Sequence, residues 1–151
     1  QACMSSLPAD IAICAAAVAD WYVVNAATQK QKKQSHVQPQ IELAKNPDIL
    51  ASLSQATSRP PLVIGFAAET EHLIRHAKDK LAKKKCDWII ANHISDDPSS
   101  SVFGSDQNKA SLLKGVDIID WPYQSKQALA ERLIIEIDQW IKAHDHSIET
   151  K

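Results

Sequence analysis

Apolar residues gather along this chain in short and nearly uninterrupted runs, and each run is followed by a polar stretch. The first run covers residues 10–18 (DIAICAAAV), the second covers 61–67 and the third covers 87–91. Continuous apolar runs of this length are typical of central strands that are buried on both faces of a parallel sheet. The pattern therefore predicts three buried strands.

Other apolar residues recur every three or four positions and predict helices between the strands. Asn46 and Pro47 favour a helix start, with Asn as the cap and Pro as the first helical residue. A longer helix is predicted over 71–85, where three apolar residues follow one another at a spacing of four. A closing helix is predicted from a Ser125 cap through Ile141.

Strands that alternate with helices predict an α/β fold, here a three-layer Rossmann-like, mainly parallel sheet with helices on both faces. Two short apolar segments, 110–113 and 116–119, flank Gly115 and predict a small β-hairpin region. A further short strand is predicted over 40–43. The length of 151 residues suits one domain.

The segment 20–40 is polar, shows no apolar period and carries Lys30, Lys32 and Lys33. It predicts a long loop, and long loops in compact domains are usually functional or disordered. Two interpretations stay open. The lysines form a solvated charge run, or the segment is a mobile flap that brings ammonium groups onto a polyphosphate.

Composition argues against several classes of function. A formal net charge of −1 gives no basic face for nucleic acid, and no apolar run reaches the roughly 20 residues that span a membrane. The three cysteines lack CxxC spacing and fit a reducing, cytoplasmic location. His72 and His76 are four residues apart, but no third ligand accompanies them, so no metal site is predicted.

Only three glycines are present, which excludes the GxGxxG, GxxxxGK[ST] and GxSxG motifs within this chain. A phosphate would therefore be bound by lysines, by helix N-termini, or by glycines outside this chain. Lys80 and Lys84 lie on the edge of the apolar stripe of the 71–85 helix. Either their ammonium groups extend into solvent, or both reach an anion beside the sheet. Cys14 and Cys86 are expected to be inert buried thiols, and the four tryptophans to be packing residues.

Four segments in order carry a family resemblance: AAAVADW at 15–21, KQKK at 30–33, KNPDIL at 45–50 and GFAAET at 65–70. The match continues through IIAN at 89–92 and then Phe103, Asn108 and Ser125-Lys126. Over about residues 10–141 the chain resembles phosphopantothenate–cysteine ligase, the C-terminal half of the bacterial bifunctional coenzyme A biosynthesis protein.

This resemblance implies an acid–amino-acid ligase that joins 4'-phosphopantothenate to L-cysteine through an acyl cytidylate and releases pyrophosphate and CMP. It implies CTP as co-substrate, Mg²⁺, and a homodimer. FMN is expected only in the fused decarboxylase domain, outside this chain.

The resemblance also implies site residues. Lys30 corresponds to the first lysine of the catalytic flap. Ala16 and Ala17 resemble positions whose backbone lines the acyl substrate. The nucleotide contacts implied are Asp20, Lys30, Ala44, Lys45, Asn46, Pro47, Phe66, Lys80 and Lys84.

The chain is expected to be the C-terminal portion of a single ligase domain, with 20–40 as its flap. In the family, a strand, a glycine-rich phosphate loop and a segment with a catalytic Asn come earlier, so the isolated chain is expected to be inactive. The rival hypothesis is a non-catalytic nucleotide-binding module of the same fold. An NAD(P) oxidoreductase would need a glycine fingerprint, and a pure dimerisation domain would need no selected lysines.

Overall fold

A computed structural model describes residues 1–26, 29, 40–69, 72–93 and 106–145. Its elements follow the alternation of strands and helices expected from the apolar pattern. In chain order they are α1 (Ala2–Ser5), β1 (Ile11–Cys14), β2 (Trp21–Val23), β3 (Leu43–Lys45), α2 (Ile49–Ser54), β4 (Leu62–Glu69), α3 (Leu73–Lys84), β5 (Trp88–His93), β6 (Gln107–Lys114), β7 (Asp117–Ser125) and α4 (Lys126–Asp145).

Five of the strands form one mixed sheet in the order β1-β4-β5-β6-β7. The strands β1, β4 and β5 are parallel, and β6 and β7 extend the sheet as an antiparallel hairpin. The hairpin turns at Gly115, whose φ of 61° lies in the left-handed region that favours glycine. The α/β fold with a parallel core and a β-hairpin is therefore confirmed.

Each face of the sheet packs against one long helix. On one face, Leu62 and Ile64 of β4 pack with a row of apolar residues from α4, including Leu133. On the other face, Val63 of the same strand packs with Ala77 of α3. Burial on both faces explains why the central strands are continuous apolar runs.

The start of α2 differs from the prediction. Asp48 is the N-cap, because its side chain accepts a hydrogen bond from the backbone N–H of Ala51 (3.0 Å), and the helix begins at Ile49. Asn46 is not a cap. Its side-chain amide donates to the carbonyl of Ala19 (2.8 Å), so a tertiary contact takes the group that would otherwise have capped the helix.

The polar segment after β1 also differs from the prediction. The first strand ends at Cys14, and Trp21–Val23 then forms a strand inside what was predicted to be loop. It pairs antiparallel with Leu43–Lys45, which lies slightly beyond the short strand predicted over 40–43. These two strands form a separate ribbon, and the Lys-rich segment of the predicted flap lies in the connection between them.

Ser125 caps α4 as predicted, with its hydroxyl accepting from the N–H of Ala128 (3.0 Å). Among the helices that the structure describes, none combines the length and apolar character needed to cross a membrane.

Candidate functional site

A cavity of about 840 Å³ opens at the carboxyl end of β1. Its wall is built by the turn after β1, the junction between β3 and α2, the strand β4 and one side of α3. Most of the residues implicated by the sequence line it, namely Ala16, Asp20, Lys45, Asn46, Pro47, Phe66, Lys80 and Lys84. Ala17 and Ala44 are not among the lining residues, and Lys30 lies outside the described residues.

Asn46 joins two parts of the cavity wall. Its backbone N–H donates to the carbonyl of Asp20 (2.8 Å), and its side-chain amide donates to the carbonyl of Ala19 (2.8 Å). Because the turn after β1 and the start of α2 are tied through one residue, Asp20 and Pro47 are brought to the same side of the cavity.

Gly65 allows α2 to lie directly on the sheet. A Cβ at this position would come within 2.5 Å of a methyl carbon of Leu50 and 2.9 Å of one of Ile89. Any larger residue would therefore force the side chains of Leu50 and Ile89 to move. The glycine of the GFAAET segment thus leaves room for the Leu50 side chain of α2 against the sheet.

Lys80 and Lys84 turn their ammonium groups into the cavity wall. Lys80 donates to the backbone carbonyl of Phe66 (2.9 Å), and Lys84 forms an ion pair with the carboxylate of Asp48. The ammonium groups are thus held by the ends of β4 and α2, as expected if they reach the region beside the sheet. Their contact with an anion stays a prediction.

The carboxylate of Asp48 is stabilised in its charged form. Burial raises the pKa of Asp48, but the hydrogen bonds from Lys84 and from the Ala51 N–H, together with the charges of Lys84 and Lys80, outweigh it. The pKa of Asp48 therefore lies below the ordinary value of an aspartate, and its carboxylate is charged near neutral pH.

Cys86 and Cys14 differ in how deeply they are buried. Cys86 is buried, and burial raises its pKa to about 11, as expected for an unreactive thiol. Cys14 is only half-buried and lines the cavity. Burial, and to a lesser degree the nearby Cys3, raises its pKa, so this thiol is also protonated at neutral pH.

Trp21 and Asp48 are among the residues of the wall that sequence reasoning missed. Trp21 is not a packing residue, since it is 52% exposed and lines the cavity with Lys45, whose Nζ lies 5.5 Å from the Trp21 ring centroid. Asp48 was missed because Asn46-Pro47 took the role of helix start. An acidic residue directly after Asn-Pro is an equally good cap, and that signal could have identified it.

Comparisons with known proteins agree with the resemblance. The model of the family "DNA/pantothenate metabolism flavoprotein C-terminal domain" matches residues 1–141. The coenzyme A biosynthesis bifunctional protein CoaBC of Haemophilus influenzae is 38% identical over 133 residues, which are 88% of this chain and 32% of that protein. CoaBC of Escherichia coli K12 is 36% identical over 132 residues, 85% of this chain and 32% of that protein. The chain thus spans about a third of the length of these relatives.

Solved structures show the same fold. The crystal structure of the C-terminal domain of CoaBC aligns with a TM-score of 0.68 at 25% identity, covering 93% of this chain and 59% of that one. The DNA/pantothenate metabolism flavoprotein of Streptococcus pneumoniae aligns with a TM-score of 0.66 at 24% identity, covering 88% of this chain and 64% of that one.

Proposed function

Because the chain belongs to the family of the DNA/pantothenate metabolism flavoprotein C-terminal domain, we propose that it works in coenzyme A biosynthesis, in a CTP-dependent ligase. The reaction joins 4'-phosphopantothenate to L-cysteine. The relatives named as coenzyme A biosynthesis bifunctional proteins support the pathway. The observation that carries the ligase assignment is a cavity at the carboxyl end of a parallel strand, which Asp20, Lys80 and Lys84 line together. Nucleotides bind at such strand ends in open α/β sheets.

The proposed reaction has two steps. An oxygen of the phosphopantothenate carboxylate attacks the α-phosphorus of CTP, and the bond to the departing pyrophosphate breaks. The amine of cysteine then attacks the acyl carbon of the cytidylate, loses a proton and expels CMP. Both steps depend on positioning and on stabilisation of charge, because negative charge grows on each leaving phosphate.

In this proposal, lysine ammonium groups supply the positive charge that stabilises the phosphates. Lys80 and Lys84 bind the polyphosphate from α3, and Lys30 approaches from the flap. Lys84 exchanges its Asp48 partner for phosphate oxygens when the nucleotide binds. A preorganised donor of this kind contributes about 3 kcal/mol to the transition state.

Oxygen ligands are what Mg²⁺ prefers, and the carboxylates of Asp20 and Asp48 line the same cavity. These two residues fit a Mg²⁺ ion carried by the triphosphate, whose chemical contribution is to neutralise phosphate charge. We also propose that the protein forms a homodimer and that it works in the cytoplasm.

CMP release distinguishes the ligase from a non-catalytic nucleotide-binding module of the same fold. The protein in its natural length is incubated with CTP, 4'-phosphopantothenate and L-cysteine, and CMP and pyrophosphate are followed together. We expect Lys84→Gln to lower kcat about a hundredfold, as loss of one charge-stabilising donor does. The matched control is Lys78→Gln, an exposed lysine of the same helix that lies away from the cavity. Nucleotide binding without CMP release would support the binding module instead.

A further inference from the structure

A third lysine of α3 lines the candidate site. Lys83 belongs to the cavity wall together with Lys80 and Lys84. It follows Lys80 by three positions, and residues three or four apart on a helix are neighbours on its surface. The three side chains therefore form one cluster, the α3 lysine patch. The sequence pattern does not single out Lys83, because at about 100° per residue it lies farther from the apolar stripe of the helix than the other two lysines.

Lys83 differs from its two neighbours in having no partner within the protein. The ammonium groups of Lys80 and Lys84 each donate to an oxygen atom of another element. Among the residues that the structure describes, none forms a hydrogen bond or an ion pair with the Lys83 side chain. Asp79, the acidic residue of α3, is four positions earlier and does not pair with it. Lys83 can therefore bind an anion without first breaking a contact.

The charged side chains of the cavity wall favour an anion. Four lysines and two aspartates line the cavity, which leaves a formal excess of two positive charges. They are Lys45, Lys80, Lys83, Lys84, Asp20 and Asp48. Like charges on one face of a helix repel each other, so the α3 lysine patch is destabilising until an anion neutralises it. Removal of Lys83 would halve the excess of positive charge.

Lys83 lies on the solvent side of the patch. It is exposed, whereas Lys80 and Lys84 are half-buried. A cleft that is lined by one sign of charge raises the local concentration of oppositely charged ligands and speeds their entry. In the proposed mechanism, Lys84 must exchange Asp48 for phosphate oxygens, and Lys83 has no partner to exchange. A phosphate that enters the cavity thus meets Lys83 before the other two lysines are free.

We propose that Lys83 captures a phosphate group of an entering substrate and positions it for the α3 lysine patch. Its ammonium group donates charge-assisted hydrogen bonds to phosphate oxygens. CTP and 4'-phosphopantothenate both carry this chemistry, and L-cysteine does not. This inference rests on the proposed function and adds a positioning residue to it.

Lys83→Gln tests the capture, because it removes the charge and keeps most of the side chain. In the protein of natural length, the KM for the captured substrate should rise about tenfold, as loss of one charge-assisted hydrogen bond does. The kcat and the KM for L-cysteine should not change. A rise for CTP alone identifies the triphosphate as the captured group, and a rise for 4'-phosphopantothenate alone identifies its phosphate. A rise for both shows that Lys83 captures each of them.

The salt dependence and the entry rate distinguish capture from a structural role. Trp21 lines the cavity, so its fluorescence can follow substrate entry in a stopped-flow instrument. The association rate constant should fall in Lys83→Gln at low ionic strength, and the difference from the unmodified protein should shrink as salt is added. The melting temperature without substrate should stay level or rise, because a repulsion within the patch has been removed.

Two further variants serve as controls. Lys83→Arg keeps the charge and should restore the KM of the unmodified protein. Lys78→Gln removes an exposed lysine of the same helix that lies outside the cavity wall, and it should leave every KM unchanged. Equal effects of Lys78→Gln and Lys83→Gln, or no effect of either, would show that Lys83 belongs to an ordinary solvated face, and that result overturns the capture.

Titration calorimetry separates this inference from the proposed reaction. It measures the binding of CTP and of 4'-phosphopantothenate, each alone, to the unmodified protein and to Lys83→Gln. Weaker binding by the variant supports the capture even where the unmodified protein releases no CMP, an outcome that refutes the ligase reaction alone. If the unmodified protein releases CMP and the variant binds both substrates equally well, the reaction stands and the capture is refuted. Binding of neither substrate by the unmodified protein refutes both.

Discussion

Lys84 of α3 forms an ion pair with Asp48, the residue that caps α2, and the pair lies in the wall of the candidate site. The two residues are 36 positions apart in the chain. One carboxylate thus holds a lysine proposed to bind the nucleotide and also satisfies the N–H of Ala51 at the start of a short helix. The contribution of the Asp48 charge to stability can be separated from the contribution of Asp48 as a helix cap.

Asp48→Asn tests the charge alone, because asparagine is an equally good cap. The lowered pKa of Asp48 means that its charge stabilises the folded protein above the ordinary pKa of 3.8, and that this stability is lost as the pH falls through the folded-state pKa. We expect the variant to lose less than about 1 kcal/mol at pH 7, since the pair is partly exposed. Urea unfolding should show the difference shrinking as the pH falls below 3.8. A difference that stays constant from pH 7 down to the acid limit of the folded protein would contradict the electrostatic origin.

Gly65→Ala should destabilise the protein by about 1–3 kcal/mol, the usual cost of overpacking. The new methyl group would meet Leu50 and Ile89 at distances no core tolerates without movement. Thermal unfolding of the single variant and of Gly65→Ala/Leu50→Ala measures the effect. Because the shortened Leu50 leaves room for the methyl group, the glycine change should be much less harmful in that background. If the effects of the two substitutions on stability simply add, the contact between the new methyl group and Leu50 is not the cause.

CTP should stabilise the protein of natural length against heat more than ATP does when Mg²⁺ is present. The expectation rests on the resemblance around Asp20 and Phe66, both of which line the cavity. A ligand that binds only the folded state raises the melting temperature with its concentration and affinity. Differential scanning fluorimetry at matched nucleotide concentrations makes the comparison. Equal shifts for the two nucleotides would count against selection of the cytosine base.

Lys30→Gln should slow the ligase step strongly and leave the melting temperature almost unchanged. The role of Lys30 comes from the resemblance. A lysine in a polar segment that the sequence predicts to be a flap should contribute little to stability. Single-turnover formation of the acyl cytidylate is the suitable measurement, with Lys78→Gln as the control for general loss of positive charge. A normal rate would remove Lys30 from the mechanism.

The 151-residue chain alone should not release pyrophosphate from CTP. A polyphosphate needs a cradle of backbone N–H groups, and the three scattered glycines of this chain do not form one. Activity of the purified chain is compared with that of the same chain joined to the segment that precedes the matching region in CoaBC of Escherichia coli. Full turnover by the short chain would show that the cavity is a sufficient site and that the glycine-rich loop of the family is dispensable.

The sequence by itself determined the α/β class, the order of the central elements and the hairpin at Gly115. These features have local causes. Strands buried on both faces leave continuous apolar runs, a helix against a sheet leaves a spacing of four, and a tight turn favours glycine. The resemblance added candidate residues, and most of these line one cavity.

Only the tertiary structure decided how those residues are held. Asn46 binds the turn after β1 instead of capping α2, and Asp48 pairs with Lys84. Each of these arrangements joins residues from different elements, some of them 27 or 36 positions apart. No periodic pattern along the chain records such contacts, because their geometry exists only after the strands have paired and the helices have packed on the sheet.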